Sequence, residues 1–318
     1  MFSKLKKNMI IIIAAAAIIY LVLTLYADYE LVIKAFEKFK WIYLPLLLLL
    51  TYLNFVTRFI KWHCYLNVIK VKLTLKASYS IFMSGLVMSI TPGKMGELVK
   101  SYMVKKITGD SISKTAPIVI VERITDFISL ILLAIIGAYV FDYGKIIVIG
   151  TGIFFLGLVL VISNKKASLG LIGVLSKIKF LSKYIEKLHE SYNTSYELLK
   201  LKPLTSMIFV SLVSWFFECF GFYLILINFN LDVTILWSTF IYAFSTIAGS
   251  ITMLPAGLGV TEGSLTFLLV SGGVASSVAV ASTFIIRTVT LWFALLVGII
   301  SLYFYQKEFG KINFEKKP

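Results

Sequence analysis

Two short stretches contain the residues best suited to chemistry in this chain. Residues 91–97 read T-P-G-K-M-G-E and residues 255–262 read P-A-G-L-G-V-T-E, each inside apolar sequence. Proline removes a backbone donor, glycine weakens a helix, and a carboxylate at membrane depth costs several kcal/mol in free energy. Such backbone survives in lipid only where it is buried in protein or lines a polar cavity. The two breaks therefore predict one shared site near the bilayer centre.

The basic residues divide by type in a way that favours binding of phosphate or carboxylate. The chain has 28 Lys but only three Arg, and Arg58, Arg123 and Arg287 all lie inside apolar segments. A guanidinium is planar and permanently charged, and it can bind a carboxylate or phosphate through two parallel hydrogen bonds. We expect these three side chains to act as donors in the site.

A helix is expected to begin after each break, where its free N–H groups and positive dipole end favour an anion. Glycines there let a headgroup approach the backbone closely. The predicted substrate-binding residues are Arg58, Thr91, Gly93, Lys94, Gly96, Glu97, Glu122, Arg123, Asp126, Glu218, Gly257, Gly259, Glu262 and Arg287. The pattern predicts no catalytic residue, no metal site and no cofactor.

Structural roles compete with these interpretations. Arg123 could pair with Asp126 at i+3 along its own helix, which would make both charges tolerable in lipid. Glu97 and Glu262 could be first-turn acids that compensate the helix dipole. Glu218 could pair with Arg287 across the helix bundle.

The composition is that of an integral membrane protein rather than a soluble one. Of the 318 residues, 59% are apolar and 15% are charged, with a mean hydropathy of +0.91. A net charge of +15 would suggest nucleic acid in a soluble protein, but here the lysines lie between apolar runs. Lysines in that position set topology and contact lipid headgroups. We expect an all-α polytopic membrane protein with no nucleic-acid partner.

The apolar runs predict six spans and two re-entrant hairpins. Residues 1–28 form an N-terminal transmembrane helix rather than a signal peptide, because the apolar run is long and no cleavage motif precedes Asp28. A polar loop is expected at 27–40. The remaining segments are repeat 1 at 41–141 with a hairpin at 77–106, a linking span at 146–163, cytoplasmic interfacial helices at 164–203, and repeat 2 at 204–305 with a hairpin at 234–271.

The lysines predict that both termini are cytoplasmic in the cell membrane, because most of them then lie on the inner side. Lys61 is assigned to the basic side after the second span, and Lys100 to the outer end of the first hairpin. This path makes the two hairpins enter from opposite faces.

The two halves also match in sequence, which predicts an inverted-topology repeat. At an offset of 163, Tyr79 matches Tyr242, Pro92 matches Pro255 and Gly96 matches Gly259, while Arg123 matches Arg287 with one inserted residue. Paired interrupted segments in corresponding halves are typical of transporter sites. We expect the two breaks to meet near the midplane.

Three motifs in this order resemble a known family. T-P-G-K-x-G-E at 91–97, E-R-x-x-D at 122–126 and P-A-G-L-G-x-x-E at 255–262 are similar to the flippase-like family of the lysylphosphatidylglycerol synthase transmembrane region, the membrane half of bacterial multiple peptide resistance factors. The resemblance covers essentially the whole chain and implies a lipid translocase. By that resemblance, the functional positions would be Glu97, Glu122, Arg123, Asp126 and Glu262.

Two departures from that family limit what the resemblance implies. No aminoacyltransferase domain follows the last span, so aminoacylation is not expected. Ala256 stands where the second break of the family often has glycine.

Several functions fit these observations. The first is a flippase for a phospholipid or a lipid-linked headgroup, with anionic or lipid-linked membrane lipids as its partners and no enzymatic activity. The second is a secondary transporter of a small soluble anion that uses the same paired breaks. A membrane-embedded lipid-modifying enzyme with paired carboxylates is third, and a membrane scaffold is fourth. A homo-oligomer is left open.

Overall fold

The computed structural model describes residues 2–91, 96–141, 143–176 and 184–310, and this part of the chain contains helices and no strand. Four of its helical segments are long and apolar enough to cross a membrane, or five if the bent pair at the N-terminus is counted as one span. The predicted all-α polytopic membrane fold is confirmed.

The helices are numbered here in chain order. They are α1 Phe2–Tyr26, α2 Tyr29–Lys38, α3 Leu44–Val68, α4 Leu75–Gly85, α5 Val99–Thr108, α6 Ile112–Val140, α7 Lys145–Ser163, α8 Lys165–Ser176, α9 Ile185–Leu198, α10 Leu201–Asn228, α11 Ile235–Ile251, α12 Val260–Ser271, α13 Ser276–Arg287 and α14 Phe293–Phe309. Short 3-10 turns lie at Trp41–Tyr43, Leu86–Ile90 and Pro255–Gly257, and a π-helical turn at Thr288–Trp292 joins α13 to α14.

Side-chain caps explain where three of the helices begin. The hydroxyls of Thr74, Ser111 and Thr234 accept hydrogen bonds from the backbone N–H groups three residues later, at 3.3, 3.1 and 3.2 Å. Such N-caps satisfy donors that have no partner inside the helix. They start α4, α6 and α11, so both hairpins begin with a capping threonine.

The prediction of a loop at 27–40 is wrong, because most of this polar segment forms α2. Asp28 caps this helix by accepting a hydrogen bond from the N–H of Glu30 at 3.0 Å. Val32 and Ala35 are buried on one face, against α13, while the charged residues lie on the other. The chain turns by 98° between α1 and α2. The charges that suggested a loop belong to the exposed face of an amphipathic helix.

The long helix α6 corresponds to the span predicted at 115–141. It has 29 residues, or roughly 43 Å at 1.5 Å per residue, and is therefore long enough to cross the hydrocarbon core. It is not one of the four segments counted above. Glu122, Arg123 and Asp126 lie in its first half.

Helix contacts follow the order expected for a repeat. The first spans of the two halves, α3 and α10, pack along each other. The helix α4 of the first hairpin packs against α14, and the helix α11 of the second hairpin packs against α6. Each hairpin thus packs on the last span of the opposite half, as two interlocked halves of equivalent topology would.

The two hairpins are built from helices too short to cross a bilayer. The longest of the four, α11, has 17 residues and a length of roughly 25 Å, against a hydrocarbon core of about 30 Å. The 3-10 turns at Leu86–Ile90 and Pro255–Gly257 lie in contact with each other. Val87, Met88 and Leu258 share one small apolar cluster there. The breaks therefore meet, as predicted.

A glycine on the last span allows this close approach. The Cα atom of Gly298 faces the first break, and a Cβ atom added to it would meet the backbone of Leu86 and Val87. Backbone atoms cannot move aside as a flexible side chain can. A Cβ atom at Gly157 of α7 would meet nothing within 4 Å.

We predict that Gly298→Ala lowers the free energy of unfolding by about 1–3 kcal/mol, the usual effect of overpacking a well-packed contact. Gly157→Ala is the matched control, and it should be neutral or slightly stabilising because alanine favours the helix. The measurement is the melting temperature of each purified variant in detergent. Equal melting temperatures for the two variants would contradict the proposed close approach.

Candidate functional site

A cavity of about 700 Å³ lies between α3, α6, α10 and the break of the second hairpin. All three arginines of the chain, Arg58, Arg123 and Arg287, line it, although they come from three different helices. The structure thus brings together the residues that composition alone had singled out. Three carboxylates share the lining, those of Glu97, Asp126 and Glu218.

An ion pair joins the first break to α6. Arg123 Nη2 donates to Glu97 Oε2 at 2.5 Å, whereas Arg123 Nη1 lies 3.8 Å from Asp126 Oδ2. The i+3 pair expected along α6 is therefore present only as a long contact, and the close partner comes from across the break. Glu97 is buried, so this pair compensates a charge that would be costly alone.

A corresponding ion pair joins the second break to α13. Arg287 Nε donates to Glu262 Oε1 at 2.6 Å, and Arg287 Nη2 donates to the carbonyl oxygen of Ala256 at 2.8 Å. The other oxygen of Glu262 accepts a hydrogen bond from the N–H of Gly259 at 2.7 Å. Glu262 is fully buried and caps α12, which is the first-turn role considered above.

The backbone of the second break is partly left-handed. Ala256 has φ +55° and Gly257 has φ +66°. Glycine adopts this region readily, whereas for other L-residues it is uncommon and unfavourable. Ala256 nevertheless occupies it, with its carbonyl oxygen held by Arg287 as described above. The left-handed backbone at Ala256 therefore explains why this position is often glycine in the family.

Two tyrosines at equivalent positions of the repeats bind polar partners on the first spans. Tyr242 donates to Glu218 Oε2 at 2.7 Å, and Tyr79 lies 2.6 Å from Tyr52, hydroxyl to hydroxyl. The hydroxyl of Tyr242 thus helps to stabilise the charge of the Glu218 carboxylate.

The position of Lys61 at the end of an apolar run predicted that it lies on the basic cytoplasmic side. This prediction is wrong. The lysine side chain is 1% exposed, and Nζ donates to Asp126 Oδ1 at 2.6 Å and to Ser211 Oγ at 2.7 Å. The apolar run continues to Val68, so Lys61 lies well inside α3. The usable signal was its spacing of three residues from Arg58, which puts both side chains on one face.

Lys100 is likewise buried and does not lie at the outer end of its hairpin. Its Nζ donates to Glu122 Oε2 at 2.7 Å, lies 3.4 Å from Glu97 Oε2, and sits 4.5 Å above the ring of Trp62. The reason is that α5 begins only at Val99, so Lys100 is in its first turn beside the break. The outer end carries Lys105 and Lys106 as predicted.

The predicted site residues therefore divide into three groups. Those that line the cavity are Arg58, Glu97, Arg123, Asp126, Glu218, Gly257 and Arg287. Those outside its lining are Thr91, Gly96, Glu122, Gly259 and Glu262. The other two, Gly93 and Lys94, lie outside the described residues. Within the second group, Thr91 Oγ1 accepts a hydrogen bond from the N–H of Gly96 at 2.9 Å and so closes the first break.

Several residues that line the cavity have polar groups without a hydrogen bond in the described parts of the chain. Arg58 donates none there, and its closest carboxylate oxygen, Asp126 Oδ2, is 3.7 Å away. The buried atoms Ser89 Oγ, Arg123 Nε and Trp215 Nε1 also lack a partner among these residues, as does Asp126 Oδ2. The guanidinium of Arg58 is partly exposed, and an anion with several oxygen atoms would accept hydrogen bonds from it. Neither Ser89 nor Trp215 is among the predicted substrate-binding residues, although Ser89 lies just before the first break.

Comparison with known proteins identifies the relationship suggested by the motifs. The family described as "Lysylphosphatidylglycerol synthase TM region" matches residues 11–298. The chain belongs to this family. The lysylphosphatidylglycerol synthase TM region is a membrane protein family related to the handling of lipid headgroups.

Three similar proteins are each described as a UPF0104 membrane protein. One from Methanocaldococcus jannaschii is 29% identical over 223 residues, which cover 70% of this chain and 95% of the relative. One from Methanothermobacter thermautotrophicus is 25% identical, with 85% of this chain and 88% of the relative covered. One from Pyrococcus horikoshii is 24% identical, with 92% and 96% covered. The similarity to these relatives therefore extends over most of the chain.

We predict that Lys61→Met lowers the free energy of unfolding by about 3–5 kcal/mol, because it leaves the buried carboxylate of Asp126 without its closest cation. The double variant Lys61→Met/Asp126→Asn should regain part of this loss, since the uncompensated charge is then removed as well. The measurement is chemical denaturation in mixed micelles, analysed as a double-mutant cycle.

The matched control is Lys76→Met. Lys76 also pairs with a carboxylate, Glu308 at 2.7 Å, but its side chain is 77% exposed. An exposed pair contributes at most about 1 kcal/mol. Additive effects of the two substitutions at Lys61 and Asp126 would argue against a coupled buried pair.

Proposed function

We propose that the protein is a lipid translocase that moves a phospholipid or a lipid-linked headgroup between membrane leaflets through the charged cavity. The observation that carries this proposal is the guanidinium of Arg58, which lines the cavity and donates no hydrogen bond in the described structure. Family membership supports lipid headgroups as the class of ligand.

The charges around the cavity suit an anionic group near Arg58. Glu97 is compensated by Arg123 and Lys100, and the carboxylate of Asp126 is held by Lys61 from behind the lining. Arg58 therefore has the weakest protein partner of the cavity arginines. A phosphate could bind its guanidinium through two hydrogen bonds.

The same contacts favour transport over catalysis. Each carboxylate of the lining already accepts a hydrogen bond, from a cation or from the hydroxyl of Tyr242. Carboxylates held in this way balance the positive charges around the cavity. A general acid or base instead needs a proton that it can exchange with the reacting group. We therefore propose a transport protein with membrane lipids as its partners.

A secondary transporter of a small soluble anion is the second candidate, because the donors alone would also bind a free phosphate. The rim of the cavity argues for a lipid. Met253 is 70% exposed, and it lines the same cavity as the arginines. An exposed apolar rim suits a substrate whose acyl chains stay in the bilayer.

We predict that Arg58→Gln slows translocation of fluorescent phosphatidylglycerol at least tenfold, in liposomes that contain the purified protein. A hydrogen bond to a charged group contributes about 1.5–3 kcal/mol, and 1.4 kcal/mol corresponds to a factor of ten. The measurement is the rate at which lipid becomes accessible to a quencher added outside.

Lys76→Gln is the control for this experiment, because it removes an exposed positive charge that lies outside the cavity lining. It should leave the rate unchanged. Wild-type protein that moves lipid no faster than empty liposomes would refute the proposed function, and uptake of glycerol phosphate without lipid movement would favour the second candidate. An unchanged rate in Arg58→Gln would remove Arg58 from the site.

We also propose that the protein lies in the cell membrane with both termini in the cytoplasm. The distribution of the lysines supports this orientation. The loop before α4, which contains Lys72, would then face the cytoplasm, and the end of α12 at Ser271 would face outward. Both residues are exposed, so each can report its side.

We predict that Ser271→Cys reacts with a membrane-impermeant maleimide in intact cells, whereas Lys72→Cys reacts only after the membrane is permeabilised. The background is a variant in which Cys64 and Cys219 are replaced, and this background protein is the control for labelling. The opposite pattern would reverse the orientation.

A further inference from the structure

The cavity has an opening whose rim is entirely apolar, between α6, α7 and the second break. Ile120, Phe154 and Met253 line the cavity and are 54%, 64% and 70% exposed. Gly150, Ile251 and Leu254 complete the rim, and they are exposed as well. We call this opening the lateral portal.

The lateral portal lies at the depth of the hydrocarbon. Phe154 is nine residues after Lys145, the first residue of α7, which places it roughly 14 Å along the helix axis. Exposed apolar residues at that depth contact acyl chains rather than water. The portal therefore connects a cavity with three guanidinium groups to lipid.

Two neighbouring residues of α7 show how the opening is maintained. Phe155 stacks on Phe127 of α6 with their ring centroids 4.3 Å apart, and so fixes α7 against α6. Phe154 packs edge-on against Phe155, with the ring centroids 5.2 Å apart, and its exposed face can contact lipid. Gly150 is one turn earlier on the face of Phe154, and a Cβ atom there would meet nothing within 4 Å. The missing side chain at Gly150 contributes to the width of the portal.

We propose that the lateral portal is the acyl-chain subsite of the transported lipid. The phosphate-bearing headgroup binds Arg58 and Arg123 inside the cavity, and the hydrocarbon passes between α7 and the second break into the bilayer. This proposal rests on the proposed function and makes it more specific, because a water-soluble anion would need the arginines but not the apolar rim. Continuity of the charged cavity with the rim argues for one amphiphilic occupant rather than two ligands.

The test compares Gly150→Phe with Gly157→Phe. Both glycines are on α7 with open space around them, but only Gly150 lines the cavity. Binding of long-chain phosphatidylglycerol and of glycerol phosphate is measured separately on the purified protein in detergent. Gly150→Phe should weaken lipid binding at least tenfold and leave glycerol phosphate binding unchanged. Gly157→Phe should change neither affinity.

Arg58→Gln separates the two proposals, because it should weaken binding of both ligands. If the wild-type protein binds both ligands and Gly150→Phe binds lipid as tightly as wild type, the portal is refuted while the proposed function stands. If the wild-type protein binds glycerol phosphate alone, the lipid substrate and the portal are both refuted. If it binds neither ligand, the proposed function itself is refuted.

A second variant covers the case in which the phenylalanine prevents folding. Gly150→Leu fills less of the portal and should weaken lipid binding by a smaller factor, again without an effect on glycerol phosphate. Melting temperatures of both variants, compared with that of Gly157→Phe, show whether the fold is retained. A loss of both affinities in a folded Gly150→Leu variant would contradict a role limited to the acyl chains.

Discussion

Ion pairs between each break and the span that follows it are the contacts on which this structure depends. Glu97 pairs with Arg123 in the first half, and Glu262 pairs with Arg287 in the second. A charge buried without a partner in an apolar protein costs several kcal/mol, so each glutamate must lie where its arginine can reach it. Because both glutamates directly follow a break, each pair determines where the interrupted helix resumes and how it packs on the next span.

Charge compensation behind the cavity explains why Arg58 keeps its N–H groups free of strong hydrogen bonds to the protein. Lys61 approaches Asp126 from the side of α3 and α10, and Lys100 binds Glu122 over the aromatic ring of Trp62. Lys61 thereby holds the carboxylate closest to Arg58, that of Asp126. The guanidinium of Arg58 can therefore make hydrogen bonds to a ligand without first breaking strong ones to the protein.

The repeated topology relates the site to the surrounding lipid. Each hairpin packs on the last span of the opposite half, so the two breaks are brought together although they are more than 150 residues apart. The helix α7 lies between the two predicted repeats and packs mainly on α6. The apolar rim of the cavity includes α7, which is why a charged interior borders directly on the bilayer. A headgroup and its acyl chains have opposite solvent preferences, and this arrangement offers each of them a suitable surface.

The lengths of the apolar runs and the positions of proline and glycine were enough to predict the long apolar helices, the breaks and a membrane location, because these depend on local chemistry and on the thickness of the bilayer. They were not enough to predict the amphipathic helix α2. The scarcity of arginine singled out Arg58, Arg123 and Arg287, and all three line one cavity. The partner of each charge was decided only by tertiary structure. Spacing favoured Asp126 as the partner of Arg123, but the closer carboxylate is Glu97, which reaches it across the break. Lys61 and Lys100 resembled surface lysines because a lysine near the end of an apolar run can face either water or a buried carboxylate, and the packing of α6 on its neighbours selects the carboxylate.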